Sequence, residues 1–563
     1  MNTQSVVLRK IHAFLLMLNF YFEHSLIFRA LSAVGRAASG SAILGGFLRT
    51  ERDYRGGSLI MRGISFVSGG IYSGAARLYA LLARANENSV NRKIFLACKN
   101  ALGNPDNFLN KTIAGCVPGR VVKWFFDYAP AAESADVLHL PHSKGQPGAT
   151  EFSSPVTVLS FLNLKTAYMV FIVGVLVVPS HMWNNWLIFL SAAFFAAAFF
   201  LSRVAQNQTD DLFARCTPPS LILFVFFCGF SIFHGYGGMD SVRVFVIFFA
   251  CAVHSVLVSM IIKKSDMRMF FTIAGVALAF AALIGFYQFA MGIEVRTDLT
   301  DLQANPGLSR LYATLGNPNN DAQAWAMLLP FVIAAAICVK NDSKRLILLL
   351  IISVVLGAFA MTYSRGGYVA FGVGLAVFIM MAAPRLVPIA LLAGIVAIPF
   401  IPVGILERLF TLGQDSSSQY RFMIWGGVLR MLEDFWVQGI GMGPAAFIRI
   451  YRNYAHPLAE RAMHSHNLFL DIISHSGIGA FLAFSAYIFG LFKRGISARV
   501  SEADSENKIY LSAGIAALAV FVVLGVGEYV WFYPRVMLVF WVIAGVLTGL
   551  SLKNSPKLRI LEK

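Results

Sequence analysis

Charge is scarce in this chain. Only 13% of its 563 residues are Asp, Glu, Lys or Arg, against 57% hydrophobic residues and a mean hydropathy of +0.67. That balance excludes a soluble globular domain and points to a polytopic membrane protein. Cysteine is also sparse. Of the six, Cys98, Cys116 and Cys216 fall in segments expected to be cytoplasmic and Cys228, Cys251 and Cys338 in apolar runs, with no metal-type spacing, so no disulfide framework or cysteine-held metal is expected. The apolar runs are nearly free of ionisable groups. His254 alone lies in the middle of one, with Asp471 and His475 near the start of another, which argues against an ion-coupled transporter. A lone intramembrane histidine reads as a hydrogen bond between packed helices.

What the chain has instead is length in its apolar segments. A hydrocarbon core about 30 Å thick takes about 20 helical residues. Runs of that order recur at 165–182, 185–202, 219–238, 244–262, 269–291, 323–339, 346–363, 367–383, 386–405, 467–492, 509–527 and 533–552. They predict an all-α fold of about twelve transmembrane helices, with both ends of the chain on one side. With the amino terminus inside, the short inner loops carry thirteen Lys and Arg and the short outer loops five, so both termini are expected to be cytoplasmic.

The net charge of +17 requires no nucleic acid, since eighteen Lys and Arg lie in the first 165 residues, where a cytoplasmic face meets anionic lipid. Residues 1–129 read as a basic cytoplasmic region with helical patches such as Ala75 to Ala85 and an interfacial amphipathic helix at Ile11 to Phe22. Residues 130–163 read as a Pro, Ser and Gly-rich linker, 164–553 as the membrane domain and 554–563 as a cytoplasmic tail.

Polar residues that solvation does not explain gather in three outer loops. The first, 292–322, ends in Gly316-Asn317-Pro318-Asn319, turn chemistry leading into a helix whose free N–H groups suit an anion; alone it is a helix start. The second is Ser364-Arg365-Gly366-Gly367. Its arginine either snorkels to lipid phosphates or, with glycines that let a ligand approach the backbone, grips a diphosphate through its planar fork. The third, 406–466, is 61 residues long, too long for a connection, and is expected to fold as a partly helical cap. It contains Arg421 at the start of an amphipathic helix with Val428, Leu429, Leu432 and Phe435 on its apolar side, expected to lie in the interface. Gly439-Ile440-Gly441-Met442-Gly443 follows; it lacks the strand context of a dinucleotide fingerprint and reads as a tight turn.

The loop closes on His464-Ser465-His466-Asn467, just before an apolar helix. Imidazole can take a proton near neutral pH, so this is the natural place for a base. A metal held by His464 and His466 with Asp471 or His475 is disfavoured, because His-x-His outside a helix offers no i,i+4 face and no outer carboxylate cluster accompanies it. His464 either positions an acceptor or caps the helix start, and Asn467 either fixes a neighbour's tautomer or serves as N-cap. Glu528, with the aromatic residues Tyr529, Trp531, Phe532 and Tyr533, either lines a substrate path or anchors the interface.

Over about residues 220–550 the chain resembles the bacterial O-antigen ligase and O-antigen polymerase family, integral membrane glycosyltransferases that use polyprenyl-diphosphate-linked sugars. The resemblance rests on Gly316-Asn317-Pro318-Asn319, Ser364-Arg365, Arg421 before an aromatic helix, the Gly-x-Gly-x-Gly at 439–443, and His466-Asn467-x-x-Leu470 followed by Gly477-Ile478-Gly479. Trp436 stands where such sequences commonly have proline, and the amino-terminal extension lies outside the family core. The resemblance implies a metal-independent, inverting transfer without a cofactor on the outer face of the bacterial cytoplasmic membrane. In it Arg310, Arg365 and Arg421 hold the departing diphosphate, His466 is the general base, and Asn317, Asn319, His464, Asn467 and Glu528 line the substrates. The partners implied are a lipid-linked glycan donor and its acceptor at the bilayer; the amino-terminal region, outside the resemblance, either docks other polysaccharide-assembly proteins or lies on the membrane surface. The stretch Glu528 to Arg535 resembles the exopolysaccharide polymerase branch more than the lipid A core ligases; a lipid-linked oligosaccharide flippase and a scaffolding protein are the competing classes.

Overall fold

A computed structural model describes residues 59–86, 163–206, 212–293, 310–397, 399 and 416–552. The expected amphipathic helix at 11–22, nearly all of the linker and the carboxy-terminal tail lie outside these residues. The chain is an all-α polytopic membrane protein, with no strand among the described residues. Its principal helices are α1 (Leu59–Asn86), α2 (Leu164–Val177), α3 (Trp186–Ala205), α4 (Pro219–Phe233), α5 (Met239–Ile261), α6 (Met267–Ala290), α7 (Pro318–Cys338), α8 (Asp342–Met361), α9 (Arg365–Ala382), α10 (Val387–Ala397), α11 (Ser416–Phe435), α12 (Pro444–Tyr451), α13 (Leu468–Ser501), α14 (Ser505–Gly527) and α15 (Pro534–Leu550).

Among the described residues eight helices are long and apolar enough to cross a membrane, namely α3, α5, α6, α7, α8, α9, α13 and α14. The shorter apolar helices α2, α4, α10 and α15 fall in four further stretches where the sequence pattern predicts spans, so the expected count of twelve turns on these four. α7 and α14, with 83% and 78% of their apolar windows buried, stand at the centre of the bundle with α15; α3 and α9, at 28% and 22%, stand at its rim. α14 packs on both α7 and α9, and α15 on α5. Close approach there depends on Gly545, where a Cβ would overlap the Ser255 carbonyl.

His254 fulfils the expected packing role. Its Nδ1 meets the Tyr168 hydroxyl at 3.2 Å and its Nε2 the Ser191 hydroxyl at 3.1 Å, joining α5 to α2 and α3. α1 packs on the flank of α3, with Tyr72 edge-on to Phe200 at 5.3 Å, so part of the basic amino-terminal region is docked against the bundle.

Helix ends sort into two groups. One holds the ion pairs Lys165–Asp266 (3.1 Å), Lys264–Glu502 (2.7 Å) and Arg268–Glu506 (2.5 Å), all in segments expected to be cytoplasmic. The other holds the expected outer loops. There Arg535, which reads from sequence as an outer-loop cation, is buried and donates to the carbonyls of Val178 (2.5 Å), Thr314 (2.8 Å) and Val175 (3.3 Å). Asp321 is buried too, and accepts the N–H groups of Ala313 (2.7 Å) and Leu315 (3.2 Å), which shapes the turn ahead of α7.

The cap has its own apolar core, in which Ile424, Val428 and Met431 of α11 meet Phe447 and Tyr451 of α12. Leu432 and Phe435 pack against this core as expected, but Leu429 does not join it: it is exposed, as are Phe422 and Trp436, seven residues away on either side. The apolar face of α11 is therefore divided between the cap core and an outward stripe.

Candidate active site

The glycine-rich turn stitches the cap to the bundle. Gly439, Gly441 and Gly443 all have positive φ (71°, 95° and 96°), and a Cβ on Gly439 would overlap the His475 carbonyl. α13 is not continuous: Gly477 takes a left-handed, non-helical conformation (φ 76°), which frees carbonyls of the preceding turn. Ile440 N–H then donates to Ser474 O at 2.8 Å, Gly441 N–H to His475 O at 3.0 Å, and Ile478 N–H to Trp436 O at 2.8 Å. The run expected to cross the membrane from residue 467 thus splits, with 468–476 tied to the cap.

That tie places His464-Ser465-His466-Asn467 beside the end of α14. Ser465 is fully buried; its N–H and hydroxyl both donate to Asp471, the hydroxyl at 2.7 Å, and Trp425 Nε1 donates to its carbonyl at 2.9 Å. Asn467 is the N-cap of α13, its Oδ1 accepting from Phe469 and Leu470 N–H (both 3.0 Å), while its Nδ2 donates to Val526 O at 2.9 Å. Of the two roles read from sequence, the cap is the one adopted, and both ends of its amide are engaged by protein.

Glu528, the residue after α14, is the hub. Arg421 donates to Oε1 at 2.5 Å, and His466 Nδ1 stands 3.5 Å from Oε2, a close contact rather than an aligned hydrogen bond. Burial would raise the Glu528 carboxyl, but the Arg421 guanidinium and the two histidines outweigh it and hold it down at about 2. Arg421 Nε and its other terminal nitrogen have no partner among the described residues. His464 packs on Phe532 (4.4 Å between ring centroids) and on the His466 ring (4.1 Å). Burial first, then neighbouring His466, pushes His464 down to about 3.

A second group forms around Arg310. Its Nε donates to Thr362 O (2.8 Å) in the turn that leads to Arg365, and its NH2 to Asn319 Oδ1 (2.7 Å). Asn317 caps α7 through Asn319 N–H (2.8 Å), and Ser364 caps α9, which Arg365 begins. The two groups are linked: Asn317 Nδ2 reaches the Tyr533 hydroxyl at 3.5 Å, Tyr533 packs on Phe532, and Phe532 packs on His464. The structure therefore brings Arg421, Glu528, His464, His466 and Asn467 into one cluster. Arg310, Asn317 and Asn319 lie beside the Arg365 turn in an adjoining one.

Sequence reasoning missed Asp471 as the anchor of Ser465 and Trp425 as a second clasp. Neither carries a local signal beyond a carboxylate in a first helical turn and an aromatic in an amphipathic helix.

Residues 346–485 match the family model described as O-antigen ligase. Over this segment the chain is similar to the O-antigen ligase family. No curated protein matches the chain. The ligase-family segment runs from α8 to the first half of the continuation of α13 and contains Arg365, Arg421, His464, His466 and Asn467. It supports an O-antigen ligase or polymerase type of activity, and with it an enzyme. Arg310, Asn317, Asn319 and Glu528 lie outside the matched residues yet border the same groups.

Proposed function

We propose that this chain is a polysaccharide polymerase of the bacterial cytoplasmic membrane, moving a glycan from a polyprenyl diphosphate to an acceptor sugar hydroxyl at the outer face. The observation that carries the reading is Glu528 held between Arg421 and His466, at the bundle end opposite the basic ion pairs. A carboxylate facing Nδ1 favours the tautomer protonated there, which leaves the Nε2 lone pair for the acceptor hydroxyl.

As Nε2 takes that proton, the acceptor oxygen attacks the anomeric carbon from the face opposite the diphosphate. The bond from anomeric carbon to diphosphate oxygen breaks with inversion, and Glu528 faces the ring on which positive charge develops. Negative charge growing on the leaving diphosphate is met by Arg310, held by Thr362 O and Asn319, by Arg365 at the start of α9, and by the unengaged donors of Arg421, held by Glu528. No cofactor enters this scheme, and the donor reaches the site laterally from the bilayer. Few charged groups in the spans weigh against a flippase.

Purified protein incubated with a defined lipid-linked repeat tests the reading. A ladder of longer lipid-linked products without any other acceptor is expected of a polymerase. Transfer that requires an added, distinct acceptor would identify a ligase, and no transfer under either condition would overturn the enzyme reading.

A further inference from the structure

His464 lies two residues before the motif's other imidazole, and its contacts give it a definite place. Among the described residues only two that are not glycine have a left-handed backbone, Tyr363 (φ 49°) and His466 (φ 54°). That region costs an L residue about 1–2 kcal/mol, so His466 is held in it by something. Its backbone N–H donates to His464 Nδ1 at 3.2 Å. A ring nitrogen that accepts carries no proton, so His464 is neutral with its hydrogen on Nε2. Its ring is in turn lodged against Phe532 (4.4 Å) and Tyr529 (5.7 Å), both from the segment that also supplies Glu528.

We propose that His464 is a positioning residue: its neutral ring, seated on Phe532 and Tyr529, accepts the His466 N–H and holds the left-handed turn from which His466 presents Nδ1 to Glu528 and Nε2 to the acceptor. The role rests on the glycosyl-transfer reading with His466 as base. The charged and titratable groups around His464 are His466, Glu528, His475 and Arg421; burial, the two histidines and Arg421 disfavour its protonation, and Glu528 alone favours it. An acceptor that cannot easily become a donor suits a fixed support.

Two variants separate positioning from proton transfer. His464→Asn sets a carbonyl oxygen close to the place of Nδ1 and keeps an acceptor, whereas His464→Leu keeps bulk and removes it. The Leu variant should lose about 10²-fold in kcat, the scale of a misplaced catalytic group, with KM for the lipid-linked donor unchanged. The Asn variant should recover most of that loss and keep the wild-type pH profile. Equal inactivity of both at wild-type membrane levels, or a limb missing from the Asn profile, would show His464 exchanging a proton itself and overturn the proposal; an unaffected Leu variant would overturn it as well. Imidazole nitrogen shifts of His464, read by NMR on the intact protein, give a second test that needs no turnover: an Nε2–H neutral ring is expected, and a ring protonated on Nδ1 contradicts it. Absence of transfer by the wild type would instead defeat the functional reading, leaving the NMR result to judge the geometry.

Discussion

The two ends of the bundle use the same ionic chemistry to different effect. At one end Lys165–Asp266, Lys264–Glu502 and Arg268–Glu506 each match one cation to one carboxylate, and each ties the start of one helix to another element. At the other end Glu528 is shared by Arg421 and His466, and Arg421 keeps donors unengaged. Side-chain exposure does not separate them, since Lys264 and Glu502 (31% and 16%) resemble Arg421 and Glu528 (26% and 15%). What differs is the stoichiometry of partners and the setting: one carboxylate between a guanidinium and an imidazole, walled by aromatic rings, suits the orienting of a ring nitrogen that the proposed function requires, where the one-to-one pairs join helices.

Substitutions that treat the two ends alike should expose the difference. Arg421→Ala is expected to have the larger effect. It should cut glycan transfer by about 10²–10³-fold, the scale for losing one fixed donor to a developing anion, and lower stability by about 2 kcal/mol, as for a lost hydrogen bond to a charged group. It should also move the acid limit of folding. Glu528 is depressed from its ordinary 4.5 to about 2, so its contribution is complete above 4.5 and is lost as pH falls from there through 2. Without Arg421 the balance shifts toward burial and the folded carboxyl rises toward or past 4.5, so less stability should be lost between pH 4.5 and 2 than in the wild type, visible in tryptophan fluorescence of the detergent-solubilised protein during acid titration. Lys264→Ala is the small end of the comparison: a change of about 1 kcal/mol or less in thermal stability, falling further with salt, and wild-type transfer. Equal loss of activity from both variants would erase the distinction between the ends.

Much of the bundle was legible because a bilayer imposes a length on every apolar run, and the basic residues that gather at one end are those that charge asymmetry assigns to a single side. His466, Arg421 and the Arg365 turn could be singled out because polar residues in so apolar a chain need a reason. Other features depend on distant residues. Arg535 resembles an ordinary outer arginine until Val175, Val178 and Thr314 are brought to it. The break at Gly477 is visible as a glycine, but its purpose, freeing carbonyls for Ile440 and Gly441, exists only once the cap has folded back. Glu528 carried two readings from sequence, a substrate path and an interfacial anchor. Its place between Arg421 and His466 follows from α14 ending beside the cap, which no local pattern records. That Leu429 faces outward with Phe422 and Trp436 while Val428, Leu432 and Phe435 turn to the cap core is likewise not in the pattern, because an amphipathic helix does not say where a cap core ends and an outward stripe begins.

Proton transfer by His466 is the step on which the proposed reaction turns. Release of free polyprenyl diphosphate from a purified lipid-linked repeat, compared between wild type and His466→Ala at equal amounts of folded protein, tests it most directly. The variant is expected still to bind the donor but to lose about 10²–10⁴-fold in rate, the range for a missing general base. Release at the wild-type rate by His466→Ala would rule out His466 as the base.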